Sequence, residues 1–139
     1  MIAEALEQFA KDLQSILAQA TTAGVYEGEA PRGANDLVLT GAAPFVVYTC
    51  ELASPLTERG DYTANVFVDV WALDSWAAAY QVAGELHEAL DGFVGVLECG
   101  RVAIDPNGAI MTREARDPDN ERIRRLHSQY VAALYPRIY

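Results

Sequence analysis

The residues that could do chemistry in this chain are two histidines, two cysteines and a few neighbouring carboxylates. His87 and His127 stand too far apart for the short ligand spacings of a histidine-rich metal site. His87 lies on or beside the apolar stripe of a predicted helix, where we expect it to complete the edge of the core. No acid or nucleophile stands at a fixed spacing from His127. We therefore predict no catalytic residue, no cofactor and no metal site.

Three further groupings are better explained by surface or core packing than by chemistry. Glu85 and Glu88 share a predicted helix, but both fall toward its polar side. Residues 117–121 are rich in acids, yet Arg122 stands where a calcium loop requires glycine. An aromatic cluster at a strand-to-helix junction predicts core packing rather than a ligand cage; its members are Trp71, Trp76 and Tyr80. The sequence contains no motif for a nucleophile elbow, a phosphate loop or a dinucleotide site.

Composition places the chain among acidic globular proteins. Its 139 residues, 51% of them hydrophobic, match the size of one domain, so we predict a single domain over residues 1–139. The net charge of −10 argues against gripping nucleic acid by phosphate neutralisation. Cys50 and Cys99 lack C-x-x-C spacing and are expected to be buried free thiols. We see no secretory signal and no apolar run near the roughly 20 residues that span a bilayer, and expect cytoplasmic synthesis.

Basic residues are unevenly distributed and are almost all arginine. Lys11 is the single lysine, and seven of the ten basic residues fall in residues 92–139. Arginine makes planar, partly desolvated contacts better than lysine does, which favours a protein interface in this part of the chain. A genomic bias toward arginine and alanine explains the same composition equally well.

Residues 62–91 are predicted to form the centre of the fold. Alternation with period two predicts a half-buried strand whose inward residues are Ala64, Val66, Val68 and Val70. Spacings of three and four then predict a helix with the stripe Trp76, Ala79, Tyr80, Ala83, Leu86, His87 and Leu90. We expect Asp74 or Ser75 to cap the start of this helix and Gly92 to cap its end.

The N-terminal part predicts a helix, a short strand and a surface loop. Apolar residues at helical spacing over 2–21 predict a helix that Gly24 ends. We expect its polar side to carry Glu4, Glu7, Lys11 and Asp12. Val25 and Tyr26 favour a short strand, and the turn-forming residues of 27–36 favour a loop that orders on a partner.

The remaining segments predict more strands and turns. Residues 45–52 form a predicted strand that pairs with the central strand through a polar tip at 54–61. The segments 101–104 and 109–112 flank Asp105-Pro106-Asn107-Gly108, a strong turn signal, and predict a second hairpin. The apolar pattern of 122–135 fits both a helix and a strand, so the local pattern leaves this segment open.

The order of these segments and their amino-acid sequences resemble a known family over about residues 1–135. The segments that carry the resemblance are Pro44-Phe45-Val46-Val47-Tyr48, Val66-Phe67-Val68-Asp69-Val70-Trp71-Ala72, Leu86-His87-Glu88-Ala89-Leu90-Asp91-Gly92, and Asp117-Pro118-Asp119 before Arg124-Arg125. They resemble the tail terminators, the small tail-completion proteins of long-tailed bacteriophages. The sequence departs from the family in lacking a clear strand pattern around residues 24–40.

The resemblance implies an α+β fold with a mixed, mostly antiparallel sheet and helices packed on one face. It also implies that 122–135 is a strand, and that the protein is not an enzyme. It implies a homo-hexameric ring at the head-proximal end of the tail, assembled in the host cytoplasm, with the tail tube protein and the head–tail connector as partners and no membrane. DNA would pass through the bore without specific binding.

Interface residues are expected in the polar loops and the arginine-rich region. They are Glu29, Arg32, Glu58, Arg59, Asp61, Arg122, Arg124 and Arg125. Two alternatives stay open: another neck or head–tail connector component, and a small cytosolic α+β ligand-binding domain or enzyme. A pocket formed by Trp71, Trp76 and His87 would favour the second alternative.

Overall fold

A computed structural model describes residues 2–33, 43–53, 62–106, 111–114 and 122–136. The elements in chain order are α1 (Ile2–Ala20), β1 (Gly24–Glu27), β2 (Phe45–Leu52), β3 (Tyr62–Leu73), α2 (Trp76–Leu90), β4 (Val94–Leu97), β5 (Gly100–Ile104), β6 (Thr112–Arg113) and β7 (Ile123–Pro136). Neither of these two helices is both long and apolar enough to cross a bilayer.

The strands form one curled sheet in the order β1-β2-β3-β7-β5-β4, with β6 also paired to β7. β1 runs parallel to β2, while the other strand pairs are antiparallel. The predicted α+β class with a mixed, mostly antiparallel sheet is confirmed. The short strand predicted at Val25 and Tyr26 is confirmed as β1, although Gly24 opens this strand rather than ending the helix before it.

The pair β3–β7 forms the centre of the sheet. The two strands are in register from Tyr62 opposite Leu134 to Leu73 opposite Ile123. The predicted alternation of β3 is confirmed, because from Ala64 onward its even-numbered residues are buried and its odd-numbered residues are only partly so. β7 shows the same alternation over much of its length, so the strand implied by the resemblance is confirmed over a segment that the local pattern left open.

Helix α1 covers the β1–β2 side of the sheet. Its fully buried side chains are Phe9, Leu13 and Leu17, as its apolar stripe predicts. The expectation that Asp12 lies on the polar side is wrong, because this carboxylate is buried. Asp12 accepts hydrogen bonds from the main-chain N–H of Cys99 at 3.0 Å and from the Gln8 side chain at 3.1 Å. Burial of a carboxylate is tolerated here because its oxygens have donors.

Helix α2 covers β3 and β7 and begins and ends as predicted. The Ser75 hydroxyl accepts a hydrogen bond from the Ala78 N–H at 3.0 Å, and Gly92 follows the helix with φ of 68°. The predicted stripe is wrong at Tyr80, which is 39% exposed, whereas Val82 is buried. The Tyr80 ring packs near Trp76 at the start of the helix instead of over the sheet.

The predicted hairpin between 101–104 and 109–112 is wrong for the residues that the structure describes, which leave out 107–110. β5 pairs with β4, a strand that was not predicted, and with the C-terminal part of β7. Thr112 and Arg113 pair with β7 as well, at His127 and Leu126. The physical reason is the length of β7: its 14 residues leave room for two short strands along one side. The turn signal at 105–108 extends beyond the described residues.

Candidate functional site

The two faces of the sheet have different environments. The helices cover the face that carries the even-numbered residues of β3 and β7. The opposite face, which we call the outer face, carries the odd-numbered residues of these strands and their register partners. Polar and aromatic side chains gather on the outer face, which is therefore the candidate surface for a site.

Four charged or titratable side chains meet on the outer face and form a polar cluster: Asp69, Glu114, Arg125 and His127. Asp69 on β3 lies directly opposite His127 on β7, and Oδ1 of Asp69 is 2.6 Å from Nδ1 of His127. Glu114, one residue after β6, places Oε1 3.9 Å from the same nitrogen. The second oxygen of Asp69 lies 3.6 Å from Nη2 of Arg125. Each of these side chains is 24–38% exposed, so solvent reaches the cluster.

A row of aromatic rings continues from the polar cluster across β3, β2 and β1. The guanidinium of Arg125 stands 4.2 Å over the Trp71 ring, and Trp71 stacks on Phe45 at 5.3 Å. Tyr26 meets the edge of Phe45 with ring centroids 6.0 Å apart. These contacts follow from register, because Phe45, Trp71 and Arg125 lie opposite one another on neighbouring strands. Two buried donors of this row, Nε1 of Trp71 and Nε of Arg125, have no hydrogen-bond partner within the described ranges.

The predicted aromatic cluster of Trp71, Trp76 and Tyr80 is therefore wrong. Trp71 belongs to the outer face, whereas Trp76 and Tyr80 lie at the start of α2 and contact each other at 6.5 Å. Arg113 joins these two rings instead, with its guanidinium 4.4 Å from the Trp76 centroid. Its Nε donates a hydrogen bond to the Tyr80 hydroxyl at 3.2 Å. The two tryptophans separate because the strand ends at Leu73 and the chain turns at Asp74 before the helix begins.

An apolar patch lies at the free edge of the sheet, where β4 has β5 as its one strand partner in the described chain. Val94 is 77% exposed, Val96 is 67% exposed and Tyr135 of β7 is 47% exposed. Register places Val96 opposite Arg101, and Arg101 opposite Tyr135, on the same face. We call Val94, Val96, Arg101 and Tyr135 the edge patch. β-branched side chains on an unpaired strand edge are a typical surface for pairing with another chain.

The histidine predicted at the core edge is found there. His87 shares a hydrogen bond with the buried Tyr130 hydroxyl, Nδ1 to oxygen 2.9 Å, and Nε2 lies 3.9 Å from Asp91. Burial raises the pKa of Tyr130 to about 12, with a further contribution from the Asp91 charge. The Tyr130 phenol is thus neutral at ordinary pH.

The prediction that the two cysteines form no disulfide is confirmed, but one of the two is not fully buried. Cys99 is buried, whereas Cys50 on β2 is half-buried. Burial, and then the negative charge of Glu27, raise the pKa of the Cys50 thiol to about 11. Burial also raises the pKa of Tyr48 above its usual range. Both groups are neutral near pH 7 and contribute no charge to the surface.

The five predicted interface residues that the structure describes do not lie in one place. Glu29 and Arg32 are exposed near β1, and Arg125 lies in the polar cluster. Arg122 holds Asp74 through Nε at 2.8 Å and Nη2 at 2.6 Å, and this hydrogen bond lowers the pKa of Asp74. Arg124 is half-buried and donates to the Ile123 carbonyl at 3.2 Å. The remaining three, Glu58, Arg59 and Asp61, lie outside the described residues.

Sequence reasoning missed the polar cluster and the edge patch. The sequence offered no acid at a fixed spacing from His127, yet Asp69 and Glu114 both approach its ring in the fold. The signal that could have revealed Asp69 is the register of β3 against β7, because this register places Asp69 opposite His127 on the neighbouring strand. The valines at 94 and 96 alternate as a strand would, but four residues give too short a pattern to stand out.

Comparison with known proteins shows the fold. No protein-family model matches the sequence, and a search of curated proteins found no match. A chain of the virion of a native gene transfer agent particle superposes with a TM-score of 0.63 and 20% identity, over 91% of this chain and 92% of that chain. Another solved structure gives a TM-score of 0.60 and 16% identity, over 96% of this chain and 94% of that chain. At such identities the shared property is the fold, which extends over nearly the whole of each chain.

Proposed function

We propose that this protein is a structural component of a phage-type virion, and that it acts as a tail terminator. In this role it caps the head-proximal end of the tail tube, stops tube polymerisation and forms the surface that joins the tail to the head. The observation that carries the proposal is the fold shared with a gene transfer agent virion chain over about nine-tenths of both chains. The family resemblance of the sequence supports the finer assignment, and the role requires no catalysis.

The edge patch supports the proposal as a surface suited to the contact that such a role needs. A protomer in a closed ring must offer two different surfaces, because each copy contacts one neighbour on each side. The edge patch lies at the β4 edge of the sheet, and β1 lies at the opposite end of the strand order. Arg101 adds a positive charge to the patch, while Glu27 and Glu29 are exposed at and after β1. Opposite charges at the two ends favour head-to-tail contact between copies.

The net charge suits a ring with DNA in its bore. Each copy carries a net charge of −10, so a ring concentrates negative charge around its axis. Acidic side chains that face the bore would repel DNA and allow it to pass without binding. Reversing these charges should slow DNA passage, and unchanged passage would contradict this part of the proposal.

The first test is the assembly state of the purified protein. Light scattering over a concentration series, with negative-stain images, should show rings of about six copies, alone or at tube ends. Val96→Lys should abolish ring formation because it places a charge in the apolar contact. Gln129→Lys is the matched control, since it adds the same charge at an exposed position on the central strand β7, away from both ends of the sheet. Equal assembly of both variants would remove the edge patch from the proposal.

The second test is tube capping, which decides the proposed role itself. The tail tube protein of the same virion is polymerised with and without this protein, and tube lengths are measured by electron microscopy. Added protein should stop growth and appear at one end of each tube. Tubes that grow to the same length in its presence would contradict the terminator role, whatever the assembly state in solution.

The ligand-binding alternative receives no support from the residues that were expected to reveal it. Trp71 lies on the outer face, while His87 contacts Tyr130 on the helix-covered side. Trp76 and His87 lie on one helix about 16 Å apart at 1.5 Å per residue. These three side chains therefore do not converge on one pocket.

A further inference from the structure

The polar cluster contains a set of metal-ligating atoms that the tail-terminator role does not use. Within the described part of the chain, Asp69, Glu114 and His127 each offer one ligand atom, and these atoms all lie within 4.8 Å of one another. The set combines an imidazole nitrogen with two carboxylate oxygens. It was not visible in the sequence, because its members come from β3, β7 and the residue that follows β6.

The neighbours of these side chains hold them in orientations that suit a shared ion. The ring of His127 stacks on Phe67 with centroids 5.8 Å apart and an angle of 24° between the ring planes. Arg125 approaches Oδ2 of Asp69, which leaves Oδ1 directed at Nδ1 of His127. Support of this kind fixes ligand orientation in metal sites. Two of the three ligands also stand on the central strands, the best-paired part of the sheet.

We propose that Asp69, Glu114 and His127 bind a divalent first-row metal ion of the zinc type. Zinc binds nitrogen and oxygen ligands at about 2.0–2.2 Å, so the three side chains, whose ligand atoms lie within 4.8 Å of one another, would rotate to surround one ion. The imidazole favours zinc, cobalt or nickel over calcium and magnesium, which prefer oxygen ligands alone. Three protein ligands leave a fourth position for water.

The charges of the cluster are consistent with a bound cation. Asp69 and Glu114 together carry two negative charges, and Arg125 offsets one of them through its contact with Asp69. A dication therefore meets a site of net negative charge. Metal binding would break the direct contact between Asp69 and His127 and would form a metal–ligand bond with each of them. The exposure of all three ligands gives the ion a route from solvent.

Metal binding would tie the short strand β6 to the sheet. β6 has only Thr112 and Arg113 in its ladder with β7, and Glu114 follows directly. An ion held by Glu114, Asp69 and His127 would link this segment to both central strands. The inference does not depend on the tail-terminator role, because it concerns contacts within one copy of the chain.

The test is metal titration of the whole chain after treatment with a chelator. Zinc binding is measured by calorimetry, and cobalt serves as a second probe because its visible spectrum reports its ligands. We expect one ion per chain and a higher melting temperature with zinc. Glu114→Gln and His127→Gln should each weaken zinc binding at least about tenfold. Mutation of a residue that only supports a metal ligand already lowers metal affinity roughly 10–100-fold.

Matched controls separate this site from general surface binding. His87→Gln removes the other histidine, which also has a carboxylate nearby, Asp91 at 3.9 Å. Glu98→Gln removes an exposed carboxylate elsewhere. Both should bind zinc as the parent protein does. Absence of saturable binding to the parent protein at millimolar zinc, or equal binding by all four variants, would overturn the proposal. If His127→Gln does not fold, Glu114→Gln decides, because its side chain is 38% exposed.

Discussion

The Tyr48 hydroxyl donates a hydrogen bond to the main-chain carbonyl of Ala10, 2.9 Å away inside the core. This contact joins β2 to the middle of α1, and Tyr48 itself is 1% exposed. Tyr48→Phe should therefore lower the free energy of unfolding by about 0.5–1.5 kcal/mol, the net contribution of a typical hydrogen bond. Chemical denaturation measures the change. Tyr26→Phe, at a ring that is 36% exposed, is the control and should change stability little; an equal loss in both variants would contradict the assignment.

Stability should fall at alkaline pH because of Tyr130. Burial raises its folded-state pKa to about 12, above the ordinary value of 10. The neutral phenol is therefore favoured in the folded state. The contribution of Tyr130 to the free energy of unfolding is complete below pH 10 and is lost as pH rises to 12. The loss should be on the order of 2 kcal/mol. Denaturation between pH 9 and pH 12 measures it.

Two variants separate Tyr130 from other groups that titrate in this range. Tyr130→Phe removes the ionisable group and should make the fall in stability shallower, although it also costs the hydrogen bond to His87. Tyr135→Phe changes an exposed phenol and should leave the pH dependence as it is. A pH dependence that is the same in the parent and in Tyr130→Phe would contradict the prediction.

Cys50 should react slowly with thiol reagents despite being only half-buried. Its pKa is raised to about 11, first by burial and then by the Glu27 charge, so little thiolate exists at pH 8. Ellman's reagent at pH 8 should label it far more slowly than a free cysteine, and the rate should rise toward pH 11. Glu27→Gln should speed labelling because it removes one cause of the shift. Rapid labelling of Cys50 at pH 8, identified by peptide mass, would contradict the prediction.

Leu86 is a position on α2 where truncation should be costly. It is 1% exposed and lies in the core between the helix and the sheet. Leu86→Ala should lower the free energy of unfolding by about 2–5 kcal/mol, through lost burial and the cavity left behind. Gln81→Ala on the exposed side of the same helix is the control, and should stay within about 0.5 kcal/mol. Thermal and urea unfolding of the two variants provide the comparison.

Local patterns in the sequence predicted most elements because each has a clear period and clear ends. The alternation of β3 and the cap at Ser75 depend on residues close together in the chain. The pattern failed at Tyr80 and Val82, where a shift of two positions changes which side of the helix faces the core. Helical spacing alone cannot settle that choice, since both residues lie near the edge of the stripe.

The polar cluster could not be predicted because it depends on register between distant strands. Asp69 and His127 meet because β3 and β7 pair without a slip of even one residue. Glu114 joins them through a two-residue strand that carries no pattern of its own. The edge patch escaped prediction for a related reason: a four-residue strand resembles a loop until its partner is known.

β7 comes late in the chain but lies in the middle of the sheet, between β3 on one side and β5 and β6 on the other. Before residues 123–136 leave the ribosome, the β2–β3 pair and the β4–β5 pair have no strand to join them. The edge patch is therefore held in place only after this last strand has been inserted. If the edge patch is the assembly surface proposed above, a nascent chain cannot present it before β7 has been made, so synthesis would precede association.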